Sequence, residues 1–168
     1  MKLPTGEQFS TLFLLGSNHM NEDYPFNIQA GSTYTVYLGV GNEMGSPEYY
    51  MCCIKLGNES GPFPDSTRET ASSLSTLFQY NSFVENGATW EAPLTFTVEN
   101  LTFTNDACQL SGIIINGMDY PINIESIWDS NSTGYYFTLI AELWMYNSAT
   151  GAIQYDNRYV SLFLNMTQ

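Results

Sequence analysis

The feature that most constrains the fold is an alternation of apolar and polar residues that recurs along most of the chain. A period of two places successive side chains on opposite faces of an extended strand, unlike the 3.6-residue period of a helix. Thr33–Val40 shows the alternation plainly, because Thr and Tyr alternate there with Val and Leu. No segment offers a capped amphipathic helix of about 12 residues or more. The sequence therefore predicts an all-β chain.

Turn residues divide this pattern into about eight or nine strands. Asn116–Gly117 gives the strongest hairpin signal, since this dipeptide adopts the positive φ angles that a tight turn requires. Phe137–Tyr146 also contains good helix formers, but the matching length of the segment that follows favours a strand. The predicted strand segments are Phe9–Leu15, Thr33–Val40, Tyr49–Leu56, Phe78–Val84, Leu94–Val98 continued by Leu101–Phe103 around a bulge or corner at Asn100, Gln109–Ile115, Asp119–Ile124, Tyr135–Tyr146 and Ala152–Leu164. This spacing predicts an antiparallel, immunoglobulin-like β-sandwich in a single domain, residues 1–168.

Composition and charge exclude several classes of protein. Four Lys+Arg oppose 17 Asp+Glu, which gives a net charge of −13. Such a surface repels phosphate backbones and anionic lipid headgroups, so nucleic acid is excluded as a partner. The chain has no run of about 18 apolar residues, so we expect membrane contact only through transmembrane helices that this sequence does not include. A hydrophobic fraction of 43% indicates a folded domain rather than a disordered segment.

Composition, rather than a targeting signal, indicates where the domain is located. The first apolar run, Phe9–Leu15, is too short and too interrupted by Ser10 and Thr11 for a signal-peptide core. Lys is scarce while Tyr, Asn, Ser and Thr are abundant, a composition common in exported β domains. We therefore expect an extracellular domain that belongs to a longer exported protein. Four N-x-S/T sequons are candidates for glycosylation, at Asn58, Asn100, Asn131 and Asn165.

The three cysteines allow two interpretations. Cys52 and Cys53 are neighbours, so on a strand their side chains point to opposite faces. With Lys55 facing water, the inward set of this strand is predicted to be Tyr50, Cys52, Ile54 and Leu56. Either Cys52 is a small buried apolar residue, or one of Cys52 and Cys53 forms a disulfide with Cys108. No spacing of Cys or His matches a zinc site.

Few residues are suited to catalysis, and none is assigned a catalytic role. The single histidine, His19, stands among Asn, Glu and Asp and is predicted to be a solvated turn residue. Carboxylates beside tryptophans suit either a glycan-binding surface or a hydrolase pair, although packing is the commoner reason for such neighbours. They are Glu91 beside Trp90, Asp129 beside Trp128, and Glu142 near Trp144.

No cofactor is expected, and calcium is the ion that the sequence suits best. Asn21–Asp23 and Asp129–Asn131 each offer several oxygen ligands on a loop. Neither loop matches the spacing of ligands in an EF-hand, so both are predicted to be solvated acidic turns and no metal ligand is assigned.

Three stretches of the chain together resemble one known family. They are Phe9–Gly45, Glu85–Val98 and Asp156–Thr167. Their motifs, in order, are Leu15–Gly16, Tyr24–Pro25–Phe26–Asn27, Gly39–Val40–Gly41–Asn42 and Trp90–Glu91–Ala92–Pro93. This order resembles the ectodomain of archaeal predicted membrane proteins grouped as domain of unknown function 1616. The resemblance implies transmembrane helices followed by an immunoglobulin-like outer domain, and it implies no particular chemistry.

These features together predict a non-enzymatic cell-surface domain that binds a protein or a glycan, or that serves a structural role. The alternatives are a carbohydrate-active hydrolase with a carboxylate pair, and a surface subunit that self-assembles through edge-strand pairing. Binding residues are expected on the loops Gly16–Ala30 and Gly57–Ser73, of which the second is predicted to be a long exposed excursion. Trp90 is expected to be largely buried against Thr33–Val40.

Overall fold

The computed structural model describes residues 6–168, and within that range it contains ten β-strands and no helix. In chain order the strands are β1 (Phe9–Leu15), β2 (Asn27–Gln29), β3 (Thr33–Glu43), β4 (Glu48–Asn58), β5 (Phe78–Val84), β6 (Thr89–Thr104), β7 (Ala107–Ile115), β8 (Met118–Ile127), β9 (Tyr136–Asn147) and β10 (Ala152–Thr167). The all-β prediction is confirmed. The described chain has no helix with the length and apolar character to cross a membrane. The one-domain prediction also included residues 1–5, which lie outside the described residues.

The strands form two five-stranded sheets that pack face to face. One sheet has the order β1-β3-β6-β7-β8, and the other has the order β2-β10-β9-β4-β5. Every pairing is antiparallel except the one between β2 and β10. Apolar residues at alternate positions on the facing sides make the core, including Val36, Leu38, Leu94, Phe96, Ile54, Phe137 and Leu143. The sandwich prediction is therefore confirmed.

The immunoglobulin-like strand order is not confirmed. One sheet of an immunoglobulin domain has the strand order A-B-E-D, so strand E lies between strand B and strand D, and strand D precedes strand E in the chain. With β1 in the place of strand A, β3 takes the place of strand B and β6 that of strand E. Here β6 lies beside β3, and it is followed by β7 and β8 in a simple meander. The sequence patterns also missed β2, because three residues are too few to show a period of two.

The two longest hairpins follow from local sequence. Asn116 and Gly117 have φ angles of 49° and 79°, as the predicted tight turn between β7 and β8 requires. Phe137–Tyr146 lies within β9 and pairs antiparallel with β10, so the strand interpretation of this segment is confirmed. The predicted segments Leu94–Val98 and Leu101–Phe103 are one strand, β6, in which Asn100 has a φ angle of 54°.

The segment between β4 and β5 covers the outer face of its own sheet, which corrects two predictions. Gly57–Ser73 was expected to be exposed throughout, yet Pro64 and Ser72 are buried. A Cβ atom on Gly57 would lie 2.8 Å from the main-chain oxygen of Gly61, so the chain folds back tightly at the end of β4. Lys55 was expected to face water, but this segment covers it and leaves it 4% exposed.

Trp90 occupies the predicted place and packs against the core there. It lies opposite Val40 of β3 in the ladder between β3 and β6. Its ring packs edge-on against Tyr80, with 5.4 Å between ring centroids. The side chain is half-buried because Trp90 lies near the start of β6, where β5 covers the core only in part.

The core positions predict a contrast in stability between two phenylalanines of the same sheet. Phe137 is 0% exposed and Phe83 is 78% exposed. Phe137→Ala should lower the free energy of unfolding by about 3–5 kcal/mol, because it leaves a cavity between the sheets. Phe83→Ala should change it by less than about 0.5 kcal/mol. Equilibrium denaturation of both variants measures the difference, and similar losses would contradict the packing described above.

Candidate functional site

One side of the sandwich is open because strands of the two sheets approach each other there without pairing. β1 is the edge strand of its sheet. β10 pairs with β9 along most of its length, but on its other side it pairs only with β2, at Asn165–Thr167. Within the described residues, Arg158–Leu164 of β10 therefore has no neighbouring strand on that side.

An apolar groove of about 500 Å³ runs between these two edges. Its walls are made by three runs of consecutive residues, Leu12–Leu14, Tyr24–Phe26 and Val160–Phe163. A groove over the face of a sheet is lined by every second residue, because side chains alternate between faces. Lining by consecutive residues means that the groove opens onto the edges of β1 and β10, where main-chain groups are within reach.

Two further cavities extend the groove in both directions along β10. One, of about 440 Å³, shares Leu12 with the central groove and reaches Asn157–Tyr159. The other, of about 360 Å³, shares Phe26 and Phe163 with it. The three cavities adjoin one another at these shared residues and are together called the edge groove, whose length suits an extended chain better than a compact small molecule.

Aromatic side chains shape one wall of the edge groove. The Tyr24 hydroxyl donates a hydrogen bond of 2.7 Å to the main-chain oxygen of Leu14, which holds the segment after β1 against the edge of that strand. Phe26 lies 6.1 Å from Tyr136 between ring centroids, and Phe163 lies 6.5 Å from Phe63. Phe163 is nevertheless 55% exposed, so its ring is available to a ligand.

The charges of the edge groove are concentrated at its ends. Glu59 and Asp129 line the end beyond Phe163. Glu59 accepts a hydrogen bond from the Ser126 hydroxyl, and Asp129 accepts main-chain N–H groups of its own loop. Among residues 6–168, no cationic side chain forms an ion pair with either carboxylate. At the opposite end, Arg158 lies 3.9 Å from Asp156.

Glu142, one of the three carboxylates that the sequence placed near a tryptophan, is buried in an ion pair on the outer face of the β4–β9 sheet. Its carboxylate lies 2.8 Å from the Lys55 ammonium, and both side chains are almost fully buried. The Ser72 N–H donates to Glu142 at 2.6 Å, and Lys55 donates to the Ser72 oxygen at 2.7 Å. Trp144 Nε1 donates to the same carboxylate at 3.3 Å. These contacts attach the β4–β5 segment to the sheet, and they leave Glu142 inaccessible to a ligand.

Two reactive groups near this ion pair are held in their neutral forms. Burial raises the pKa of the Cys53 thiol, and the Glu142 carboxylate adds to the effect. Burial, with a smaller contribution from Glu142, raises the pKa of Tyr155 to about 12. A neutral buried thiol is a poor nucleophile, so the arrangement favours a structural role for this cluster.

His19 lies in an exposed turn, as predicted, and it also makes two contacts with the β1 sheet. Its Nδ1 lies 2.6 Å from Oε1 of Glu91, and its ring stacks on Tyr37 with 3.6 Å between centroids. About half of the side chain remains exposed. The contacts dock the Gly16–Ala30 loop onto the outer face of the sheet, close to the strand edge that borders the edge groove.

The predicted carboxylates do not assemble into a hydrolase pair. Glu91 lies on the outer face of one sheet and Glu142 on the outer face of the other, so the core separates them.

Two carboxylates that the sequence did not single out, Glu99 and Asp119, do lie together. Partial desolvation, together with Asp119, raises the pKa of Glu99. No local pattern could have indicated this pair, because β7 lies between the strands that carry it.

The acidic loops form turns of their own. In the first, the Asn18 side-chain amide donates to Asp23 at 3.1 Å. In the second, Asp129 accepts the N–H groups of Asn131 and Ser132. Within residues 6–168, no group of three or more His, Cys, Asp or Glu side chains is placed to hold a metal ion. The calcium interpretation of these loops gains no support from their geometry.

The three cysteines are free thiols and all are buried. Cys52 and Cys108 both lie in the core, and Cys53 faces the opposite side of β4 beneath the β4–β5 segment. The pairing of Cys52 or Cys53 with Cys108 is therefore not the arrangement in the structure, whereas the interpretation of Cys52 as a small core residue agrees with it.

The four sequons differ in accessibility. Asn100 and Asn131 are exposed at positions outside the core. The Asn58 amide donates to the Glu125 oxygen at 3.0 Å, and the Asn165 amide donates to Asn27 at 3.0 Å. In both residues, the amide nitrogen to which a glycan would be attached is thus already hydrogen-bonded, so Asn100 and Asn131 are the better candidates for glycosylation.

The buried ion pair predicts a large and asymmetric effect of mutation. Glu142→Gln should lower the free energy of unfolding by about 3–5 kcal/mol, because it leaves the Lys55 charge buried without a partner. The double change Lys55→Met with Glu142→Leu should recover part of that loss, since no buried charge remains, although the Ser72 N–H and oxygen lose their partners. Arg68→Met is the matched control, because its ion pair with Asp65 is exposed and should contribute less than about 1 kcal/mol. Urea denaturation at neutral pH measures all three, and equal effects for Glu142→Gln and Arg68→Met would refute a desolvated pair.

A comparison with known proteins identifies the family of the chain. The model of a protein family described as "Domain of unknown function (DUF1616)" matches residues 3–111. This match covers more than half of the chain and includes β1 to β6 together with most of β7. No curated protein matches the sequence. The chain therefore belongs to the DUF1616 family, as the order of its sequence motifs predicted.

Proposed function

We propose that this domain is a non-enzymatic binding domain on the cell exterior, and that its ligand is a segment of a partner protein. The observation that carries the proposal is the edge groove, a row of adjoining cavities with an apolar centre bordered by two strand edges. Strand edges present main-chain N–H and C=O groups, which pair with another polypeptide chain. A protein segment therefore fits this groove better than a glycan, whose recognition relies on flat aromatic surfaces and side-chain hydrogen bonds.

The geometry supports the two alternative functions less well. A carboxylate-pair hydrolase needs two accessible carboxyl groups facing a substrate cleft, and Glu142 is fully buried. Glu59 and Asp129 do line the end of the edge groove, but each already accepts hydrogen bonds that hold its own segment in place, from Ser126 and from the Asp129 loop. Self-assembly through the same edges would bring together two copies that each carry a net charge of −13. Repulsion between like charges opposes that association.

A selection experiment tests the proposed binding function. Random peptides of about a dozen residues would be displayed on phage and selected on the immobilised domain. We expect enriched peptides that lose affinity about tenfold or more for Phe163→Glu, which places a charge in the apolar groove. Phe83→Glu is the matched control, because Phe83 is exposed on β5 at the opposite edge of the same sheet, and peptide binding should be unchanged.

Two outcomes would refute this function. One is the absence of any enriched peptide that distinguishes the Phe163 variant from the Phe83 variant. The other is turnover in a glycosidase, esterase and protease screen that is lost, with the fold intact, when a single carboxylate such as Glu91 or Asp129 is changed to its amide.

The location on the cell exterior is a separate part of the proposal. It is supported by the Lys-poor composition and by the exposure of the Asn100 and Asn131 sequons. We expect protease added to intact cells that express the full-length protein to degrade this domain, while a cytoplasmic marker stays intact. Protection of the domain in intact cells, followed by its cleavage after lysis, would place it inside the cell and refute the location.

A further inference from the structure

The free edge of β10 already accepts a strand at one of its ends. β2 pairs in parallel with β10, where Asn165, Met166 and Thr167 lie opposite Asn27, Ile28 and Gln29. The Asn165 N–H also donates to the Phe26 oxygen at 2.7 Å. The edge position beside β10 is thus occupied for three residues, and it continues without a strand along Arg158–Leu164.

We propose that an extended, basic segment of a partner protein adds to the β10 sheet along Arg158–Leu164, in line with β2. This inference rests on the proposed binding function and specifies how the ligand binds. Arg158–Leu164 extends about 23 Å at 3.3 Å per residue, so a segment of about seven residues fills the edge. β10 is the receiving strand rather than β1, because Tyr24 already covers part of the β1 edge through its hydrogen bond to Leu14.

The lining of the groove specifies an apolar centre for the added segment. Side chains of a strand beside β10 point alternately toward the gap between the sheets and toward the outer face. Side chains that point toward the gap would contact Leu12, Leu14 and Leu162, and side chains that point toward the outer face would contact the exposed ring of Phe163. A segment with apolar residues at alternate positions therefore removes the most apolar surface from water.

The charges specify a basic end for the same segment. Glu59 and Asp129 lie together at the end of the edge groove beyond Phe163. The described cationic side chains, Lys55, Arg68 and Arg158, each lie beside a different carboxylate. A Lys or Arg near the end of the bound segment would therefore find two carboxylates that lack a cationic partner. The net charge of −13 also favours a basic partner over a second copy of this chain.

Synthetic peptides test this mode of binding directly. The probes are fluorescein-labelled peptides of about eight residues that alternate Val and Thr, with two Lys at either the N-terminus or the C-terminus. We expect one of the two to bind, and which one binds shows whether the added strand is parallel or antiparallel to β10. Replacing the Lys pair by Glu should weaken binding about tenfold, and a central Pro should abolish it because Pro cannot donate to a ladder.

Variants of the domain test whether the peptide binds at the proposed position on β10. Glu59→Gln with Asp129→Asn should weaken binding of the Lys peptide about fivefold, with the effect shrinking as salt is added. Glu22→Gln with Glu43→Gln is the matched control, because it removes the same charge from exposed residues outside the groove and should leave binding unchanged. Hydrogen exchange should show new protection of main-chain amides within Tyr159–Phe163 when the peptide is bound.

The outcomes separate this inference from the broader function. If selected peptides depend on Phe163 but tolerate a central Pro and leave the β10 amides unprotected, strand addition is refuted while the binding function stands. If neither Lys peptide binds at about 1 mM, the basic extended ligand is refuted. If the domain alone forms dimers at micromolar concentration that Phe163→Glu abolishes, the occupant of the edge is a second copy, and the inference is wrong.

Discussion

A sandwich of two sheets cannot pair every strand edge, and the location of the unpaired edges determines the rest of this architecture. Each sheet has one apolar face, and burying both faces against each other requires two separate sheets. Unlike a closed barrel, such a pair of sheets retains edge strands whose main-chain groups have no partner. In this protein the edges of β1 and β10 lie on the same side, and the space between them is the edge groove.

The chain protects part of this edge but leaves its middle free. β2 pairs with the last residues of β10, and the ladder between β9 and β10 is irregular between Tyr155 and Arg158. Bulges and short covering strands are devices that natural sheets use to prevent pairing with other chains. Between these two places the edge has neither device, and apolar side chains border it. This unprotected stretch is the place where we propose that a partner segment binds.

The outer face of the β4–β9 sheet is covered by the chain rather than exposed to solvent. Lys55 and Glu142 lie on the outer face of the β4–β9 sheet, and the β4–β5 segment covers them. Burying two charges is costly unless they pair and their remaining hydrogen-bonding capacity is satisfied. The main chain of Ser72 satisfies both, since its N–H donates to Glu142 and its oxygen accepts from Lys55. The segment is thereby held in one position and gives this sheet a second buried face.

The sequence by itself determined every described strand except the three-residue β2, the alternation of core-facing residues along those strands, and the position of the Asn116–Gly117 hairpin turn. These properties depend on neighbours along the chain, and a period of two reports them directly. The family membership and the acidic charge were also evident from the sequence alone. Only the tertiary structure decided that Lys55 is buried, that His19 contacts Glu91, and that β1 and β10 border one groove. Alternation assigns a side chain to one of two faces, but it contains no information about which distant segment covers that face or which edges meet. Those properties depend on contacts between residues far apart in the chain. Tyr24–Phe26 and Glu59 therefore lie within the loops that the sequence predicted to bind, whereas the β1 and β10 edges that complete the candidate site could not be predicted from the sequence.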